Sequence, residues 1–304
     1  MMERVLQKRL AEFVDRDEEM RRFRTMLKSS DKPIMVVWGE AGIGKTSLLA
    51  RMIHECAVRN LRKSEIVWKD VDPPDYMAIM RKIRDDVGVG YFNEFTDLVN
   101  YFTEAGYEQK VHLNLTAGSE KSVRVAENAQ ISGSEVGDVA GLIIKDSMIV
   151  VPRPDLAVPE AERRAKLTYR FFECISRAVE TEPLVVFMDA VEKMAPDTEA
   201  WVWQELLGRV MQTELNHIKF VLCGRKPPPD DRDWELFIEA AGLKPLGPTD
   251  IVSYLKNRSI ELDNKGLRAV ALTILTSSKG IPIEVARQVD ALERLLKDTQ
   301  SGRD

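Results

Sequence analysis

The sequence predicts an α/β fold: a parallel sheet with helices on both faces, carrying a β-rich insertion and a C-terminal helical lid. Three observations lead there. Short apolar runs recur at residues 33–38, 184–189 and 218–223, as expected of strands buried on both faces of a parallel sheet. Helical patterns over about 159–181 and 198–214 lie between the later ones, so the strands are joined by crossovers. The first run also leads directly into a glycine-rich loop at residues 39–46, and a helix follows it.

Taken in order, residues 3–28 read as a helical lead-in with Phe13, Val14, Asp15 and Arg16 at its centre. The strand at 33–38 follows, then the loop and a helix from Ser47 to Glu55. A second strand fits residues 65–70 and is stopped by Pro73 and Pro74, which supply no N–H to a ladder. Helical patterns cover 75–87 and 91–105, and a weaker strand candidate covers 242–246. Within 198–214, Trp203, Leu206, Leu207, Val210 and Met211 recur at helical spacing as a core face, leaving Trp201 expected outside it and exposed. Residues 227–229 read as a stiff proline loop, the alternative being a proline-motif ligand.

Two stretches break the alternation. Residues 110–116, 122–125 and 142–151 alternate polar and apolar side chains between Gly, Ser, Asn and Asp separators. No Phe, Trp or Tyr occurs between Tyr107 and Tyr169, so the segment 107–158 reads as a β-hairpin or β-arch extension. It serves either as a docking surface for a partner or second copy, or as passive decoration. After Gly247 only helices are expected, at about 249–258, 264–277 and 281–297. Thr249 and Asp250 offer capping oxygens, and Gly280 ends the second helix. The chain thus divides into a core over 1–246, containing the insertion, and a lid over 247–304.

Composition narrows the function. With 304 residues, 44% hydrophobic and 31% charged, the chain has the make-up of a globular protein. A net charge of -5 provides no electrostatic footprint for nucleic acid. No apolar run reaches the roughly 20 residues that cross a bilayer. The charged N-terminus lacks the apolar centre of a secretion signal. Cys56, Cys174 and Cys223 are scattered and, with three histidines, fit no zinc spacing. They read as buried thiols, and the expected location is the cytoplasm.

The loop carries the chemistry. Gly39, Glu40, Ala41, Gly42, Ile43, Gly44, Lys45 and Thr46 match the phosphate-binding pattern between a strand and a helix. Glycines let backbone N–H groups converge on phosphate oxygens, and the helix running on through Ser47 adds its positive end. Lys45 offers a mobile charge to the β- and γ-phosphates, and Thr46 a hydroxyl to Mg²⁺. Asp189 ends an apolar strand, where open α/β sheets place ligands. It is expected beside Thr46 on the metal, the rival role being a cap on the next turn. Glu192 either orients the attacking water or is a solvated loop residue. Arg225 either senses the γ-phosphate or pairs with a carboxylate of the acidic 227–233 loop.

With these residues located, the chain resembles the STAND class of P-loop ATPases, relatives of the NACHT, NB-ARC and Orc-like AAA+ proteins. Residues 13–19 are similar to that class's opening motif, usually written with Gly where Asp15 stands. The loop, the 184–189 strand, Arg225 and the Gly-x-Pro at 280–282 follow in the right order. The resemblance implies that Val14 and Arg16 sit by the adenine, that Pro282 packs near the nucleotide, and that the protein binds ATP or ADP with Mg²⁺. It also implies a switch linking nucleotide state to oligomerisation or partner binding, in which many bacterial relatives serve defence or signalling. Lys193 stands where many relatives carry an acidic residue, so a slow ATPase is expected. The resemblance includes neither a winged helix nor sensor repeats after the Gly-x-Pro helix, nor an effector domain before Phe13. Input and output are therefore expected from partners or from the insertion. Two alternatives stand: a nucleotide-locked scaffold presenting the insertion to a protein, and an Orc-like DNA-associated ATPase.

Overall fold

The structure, a computed structural model, describes residues 14–29, 31–67, 75–104, 109–113, 131–132, 147–151, 158–180, 182–212, 215 and 217–301. Phe13, residues 68–70 and residues 122–125 therefore lie outside the described residues. Those described fall into two compact units, one comprising Phe92–Ile175 and the other the residues on either side of it.

The larger unit is built on helix α1 (Asp17–Lys28), strand β1 (Ile34–Trp38), helix α2 (Lys45–Val58), strand β2 (Arg62–Val67) and helix α3 (Tyr76–Val87). The smaller holds α4 (Asn93–Glu104), β3 (Gln109–Leu113), β4 (Ile131–Ser132), β5 (Ser147–Val151) and most of α5 (Glu160–Val179). The chain then continues through β6 (Leu184–Asp189), α6 (Pro196–Ala200), a π-helical stretch (Trp201–Leu207), α7 (Gly208–Met211), β7 (Ile218–Gly224), α8 (Arg232–Phe237) and β8 (Ile238–Gly242). Three helices close it: α9 (Pro248–Asn257), α10 (Asn264–Ser278) and α11 (Pro282–Ser301).

The five strands of the larger unit order as β2-β6-β7-β1-β8, all parallel. Every residue of β6 and β7 is buried, which explains why these central strands read as unbroken apolar runs. Alternate residues point to opposite faces. Met35, Val37, Val185, Phe187, Val221 and Cys223 share one face and pack against Met20, Phe23 and Met26 of α1 and Leu48, Met52 and Cys56 of α2.

Four expectations need correction. Residues 14–16 are not at the centre of a helix: the left-handed backbone at Asp15 (φ 60°) and Arg16 (φ 79°) precedes α1, which starts at Asp17. The edge strand is β8 at Ile238–Gly242, earlier than residues 242–246. Its small residues hid it, while Pro245 has no N–H to extend a ladder beyond Gly242. Strand β2 likewise begins at Arg62 rather than at 65. Trp201 is fully buried, beside the ring of Tyr76 with centroids 6.0 Å apart. The π-helical stretch that starts there takes more residues per turn than the 3.6 period assumes, so a face drawn at α-helical spacing misplaces it.

In the smaller unit, β3, β5 and β4 form an antiparallel sheet in that order. Phe92, Phe95 and Phe171 pack with centroids 5.5 to 6.4 Å apart. The three closing helices gather around a cluster of their own that includes Leu246, Ile251, Leu255, Leu267, Ile274, Val285 and Val289. At the start of α9, Asp250 Oδ2 accepts from the Gly247 amide at 2.7 Å, which secures the helix at its first turn. Gly280 (φ 73°) takes the turn between α10 and α11. A Cβ there would lie 2.4 Å from the Leu246 carbonyl oxygen, so glycine is required by both conformation and space. Among the described residues no helix is long and apolar enough to cross a membrane.

Candidate functional site

The loop between β1 and α2 is glycine-shaped because its backbone is left-handed at Gly42 (φ 79°) and Gly44 (φ 97°). Gly44 caps α2 without a side chain, so the first-turn N–H groups and the helix's positive end face outward as an anion site. Lys45 Nζ donates to the carbonyls of Gly39 at 2.7 Å and Glu40 at 2.9 Å. Burial pushes its ammonium below the usual lysine range, opposed by the nearby Glu192 carboxylate.

Thr46 Oγ1 donates to Asp189 Oδ2 at 2.9 Å, and the other oxygen, Oδ1, accepts from the Ala190 amide at 2.9 Å. Asp189 therefore holds the turn after β6 with one oxygen and faces the loop threonine with the other. That turn is left-handed at Ala190 (φ 55°) and places Glu192 in the short 3-10 segment Val191–Lys193. Arg225 Nε lies 3.0 Å from Glu192 Oε1. The partner of Arg225 is thus Glu192 across the sheet end, not the acidic 227–233 loop. Glu192 Oε2 is buried and has no hydrogen-bond partner among the described residues. Gly224 permits this approach, since a Cβ there would lie 2.7 Å from Val191 Cγ2. Beneath it, burial raises the Cys223 thiol well above its usual range.

On the other side of the loop lies a cavity of about 720 Å³. The loop side contributes Gly42, Ile43, Gly44, Lys45, Thr46 and Ser47, and the lead-in contributes Val14 and Arg16. The opposite wall is Leu246, Tyr254, Pro282, Ile283, Val285, Ala286 and Asp290. Arg16 is 5% exposed, and its guanidinium donates to the carbonyls of Ile43 at 3.2 Å and Lys244 at 2.7 Å. It ties the lead-in to the loop. Its neighbour Asp15 adopts φ 60°, a conformation glycine takes freely and aspartate tolerates better than most residues. Gly39, Glu40, Ala41, Asp189, Glu192 and Arg225 stand outside the cavity lining.

The start of α11 rests on the loop. Ile283 N donates to Gly42 O at 3.3 Å, a Cβ on Gly42 would fall 2.6 Å from Ile283 Cγ2, and Pro282 lies against Gly44. Farther along the same wall, Arg258 is 9% exposed. It donates to Asp290 Oδ1 at 2.6 Å, to Glu293 Oε1 and Oε2 at 2.8 and 2.9 Å, and to the Tyr254 hydroxyl at 3.3 Å. The carboxylates raise the Arg258 pKa above its usual value. Tyr254, Ile283 and Asp290 were missed in the sequence. Their only signal was spacing: Tyr254 and Arg258 stand one turn apart, as do Asp290 and Glu293.

The residues fit a nucleoside polyphosphate with a divalent cation. Open amides meet a lysine at one loop, the Thr46–Asp189 pair adjoins it, and the Glu192 Oε2 orphan shows polar capacity the fold leaves unspent. Among the described residues no group of three or more His, Cys, Asp or Glu could hold a metal, so phosphate oxygens would complete any coordination shell.

A sequence profile described as "AAA ATPase domain" matches residues 12–221. A comparison with curated proteins gave no match. Similar solved structures include a signal transduction ATPase with numerous domains, carrying a tetratricopeptide repeat sensor, from Pyrococcus horikoshii (14% identity, 89% of this chain and 28% of that one, TM-score 0.44). Others are a HORMA:CdnC:Trip13 complex from E. coli MS115-1 (11%, 88% and 76%, TM-score 0.41) and AMPPCP-bound DnaA from Aquifex aeolicus (11%, 93% and 68%, TM-score 0.37). The chain spans little more than a quarter of the first of these structures.

Proposed function

This chain belongs to the AAA ATPase domain family, and from that premise we propose that it is a nucleotide-dependent switch: it binds ATP or ADP with Mg²⁺ between loop and lid and hydrolyses ATP slowly. The observation that supports this most is the seating of α11 on the phosphate loop, with Ile283 N bonded to Gly42 O at 3.3 Å. Whatever occupies the loop must act on the same backbone that carries the lid, so ligand state and lid position are coupled.

The chain's own groups divide the work. The amides at the start of α2 receive phosphate oxygens, and Lys45 exchanges the Gly39 and Glu40 carbonyls for them. Thr46 and Asp189 would hold the cation, which when bound neutralises phosphate charge. Glu192 accepts a proton from the attacking water through Oε2, and Arg225 steadies both that carboxylate and the terminal phosphate.

The test is to denature the purified protein and identify any released nucleotide by chromatography, with Lys45→Ala alongside. Stoichiometric ADP in the wild type and none in the variant is the expected result. Equal nucleotide in both would sink the assignment of the loop.

A second reading draws on the 3.0 Å Arg225–Glu192 pair, which holds one oxygen of the proposed base. A protein with that base restrained retains ATP and serves as a scaffold, presenting the insertion to a protein partner. Intact ATP in the released nucleotide favours it, as does loss of a co-purifying partner on deleting residues 110–150.

A further inference from the structure

We propose that Asp290 reads the base of the bound nucleotide, accepting a hydrogen bond from the 6-amino group of adenine and so favouring an adenine nucleotide over a 6-oxopurine one. The inference rests on the nucleotide-binding reading above and goes beyond it to substrate specificity.

Position along α11 supports this first. Pro282 lies against Gly44 of the loop, and Asp290 lines the same cavity eight residues farther along the helix. At about 1.5 Å of rise per residue, that is roughly 12 Å from the phosphate end, a separation suited to a nucleotide's span from diphosphate to base edge. Between them the wall is apolar, with Val285 and Ala286, as a base and sugar require.

Chemistry supports it second. Asp290 is the only carboxylate among the described residues that line the cavity. Arg258 fixes it by donating to Oδ1 at 2.6 Å, and is itself held by Glu293 at 2.8 Å. One guanidinium thus serves two carboxylates, and the local charge remains negative. A carboxylate has about four lone-pair sites, so Asp290 retains acceptor capacity after bonding Arg258. Negative charge and acceptor capacity favour a donor such as the adenine amino group. They disfavour a carbonyl oxygen at the same position of the ring, as in inosine.

The experiment titrates the full chain, stripped of nucleotide, with ATP, ITP and dATP by calorimetry. A charge-assisted hydrogen bond corresponds to roughly ten-fold or more in affinity, so the wild type is expected to prefer ATP over ITP by about that factor and to bind dATP as well as ATP. Asp290→Ala should lower ATP affinity to the ITP level and leave ITP nearly unchanged. Asp290→Asn should turn an amide N–H toward the cavity and improve ITP binding, a gain that misfolding cannot produce. An unchanged ATP:ITP ratio in Asp290→Ala overturns the inference. So does a change confined to the ATP:dATP ratio, which would make Asp290 a ribose contact. If the wild type binds ATP and ITP equally, only the base reading fails; if it binds neither, the nucleotide reading itself fails.

Discussion

Glu192 and Arg225 stand 3.0 Å apart at the carboxyl end of the sheet, and each limits what the other does. With one oxygen committed to Arg225 and the other buried without a partner among the described residues, Glu192 has a single acceptor to offer water. Glu192→Gln keeps the shape and removes the proposed base. It is expected to cut single-turnover ATP hydrolysis about a hundred-fold or more while ATP binding stays within about two-fold, as filter binding would report. Equal hydrolysis in wild type and variant would remove Glu192 from the mechanism. Asp189→Asn is expected to act differently, weakening the Mg²⁺ dependence of ATP binding, because Oδ2 faces Thr46, its partner in the proposed cation site. At this scale the sequence was legible where chemistry is local. The loop's residue types and Asp189 at a strand end declare themselves through spacing alone. The partner of Arg225 did not, because residues 192 and 225 meet only once β6 and β7 lie side by side. Asp15 shows the limit in another form: its φ of 60° explains why related motifs favour glycine there, yet conformation is not written in residue type.

Elements were legible in proportion to their burial. Strands β1, β6 and β7 have nearly every residue enclosed, so hydrophobicity marks their ends within a residue or two. The edge strand β8 is only partly buried and has small side chains, and it was misplaced. Contacts between elements were equally hidden, and the tie between α1 and α2 is an example. Arg24 bonds both oxygens of Glu55 at 3.1 Å, and Arg59 pairs with the same carboxylate at 2.6 Å. Arg24 foremost, then Arg59, holds the Glu55 pKa at about 2 against an ordinary 4.5. The folded state therefore binds this proton less readily than the unfolded chain. The stabilisation is complete above about pH 4.5 and is lost as pH falls toward 2. Glu55→Gln should lower the melting temperature at pH 7, and the gap to wild type should close as the pH approaches 2. A gap constant across that range would mean the effect is packing rather than charge.

Across the larger unit as a whole, one backbone junction links the lid to the sheet. Residues 243–247 leave β8, and Leu243 N donates to Trp38 O at 2.9 Å at the foot of the loop. Leu246 N donates to Gly280 O at 2.8 Å, where α10 turns into α11. Arg16 fastens the same segment by bonding Lys244 O. A shift at the loop therefore reaches the lid twice, through Gly42 and Ile283 and through this junction. Gly280→Ala tests the second route. Its Cβ would fall 2.4 Å from Leu246 O, at a φ of 73°, and relief requires the junction to open. Left-handed strain of this kind costs on the order of 1–3 kcal/mol, which lowers the melting temperature by several degrees. Were that strain its only effect, nucleotide would still stabilise the variant as much as the wild type, by about 2.7 kcal/mol at a hundred times Kd. If lid and loop move as one, the nucleotide-induced shift should itself shrink, and hydrogen exchange in residues 282–298 should no longer slow when ATP is added. A full shift with preserved protection would show that the lid closes without this junction and leave the contacts of Pro282 and Ile283 with the loop to carry the coupling.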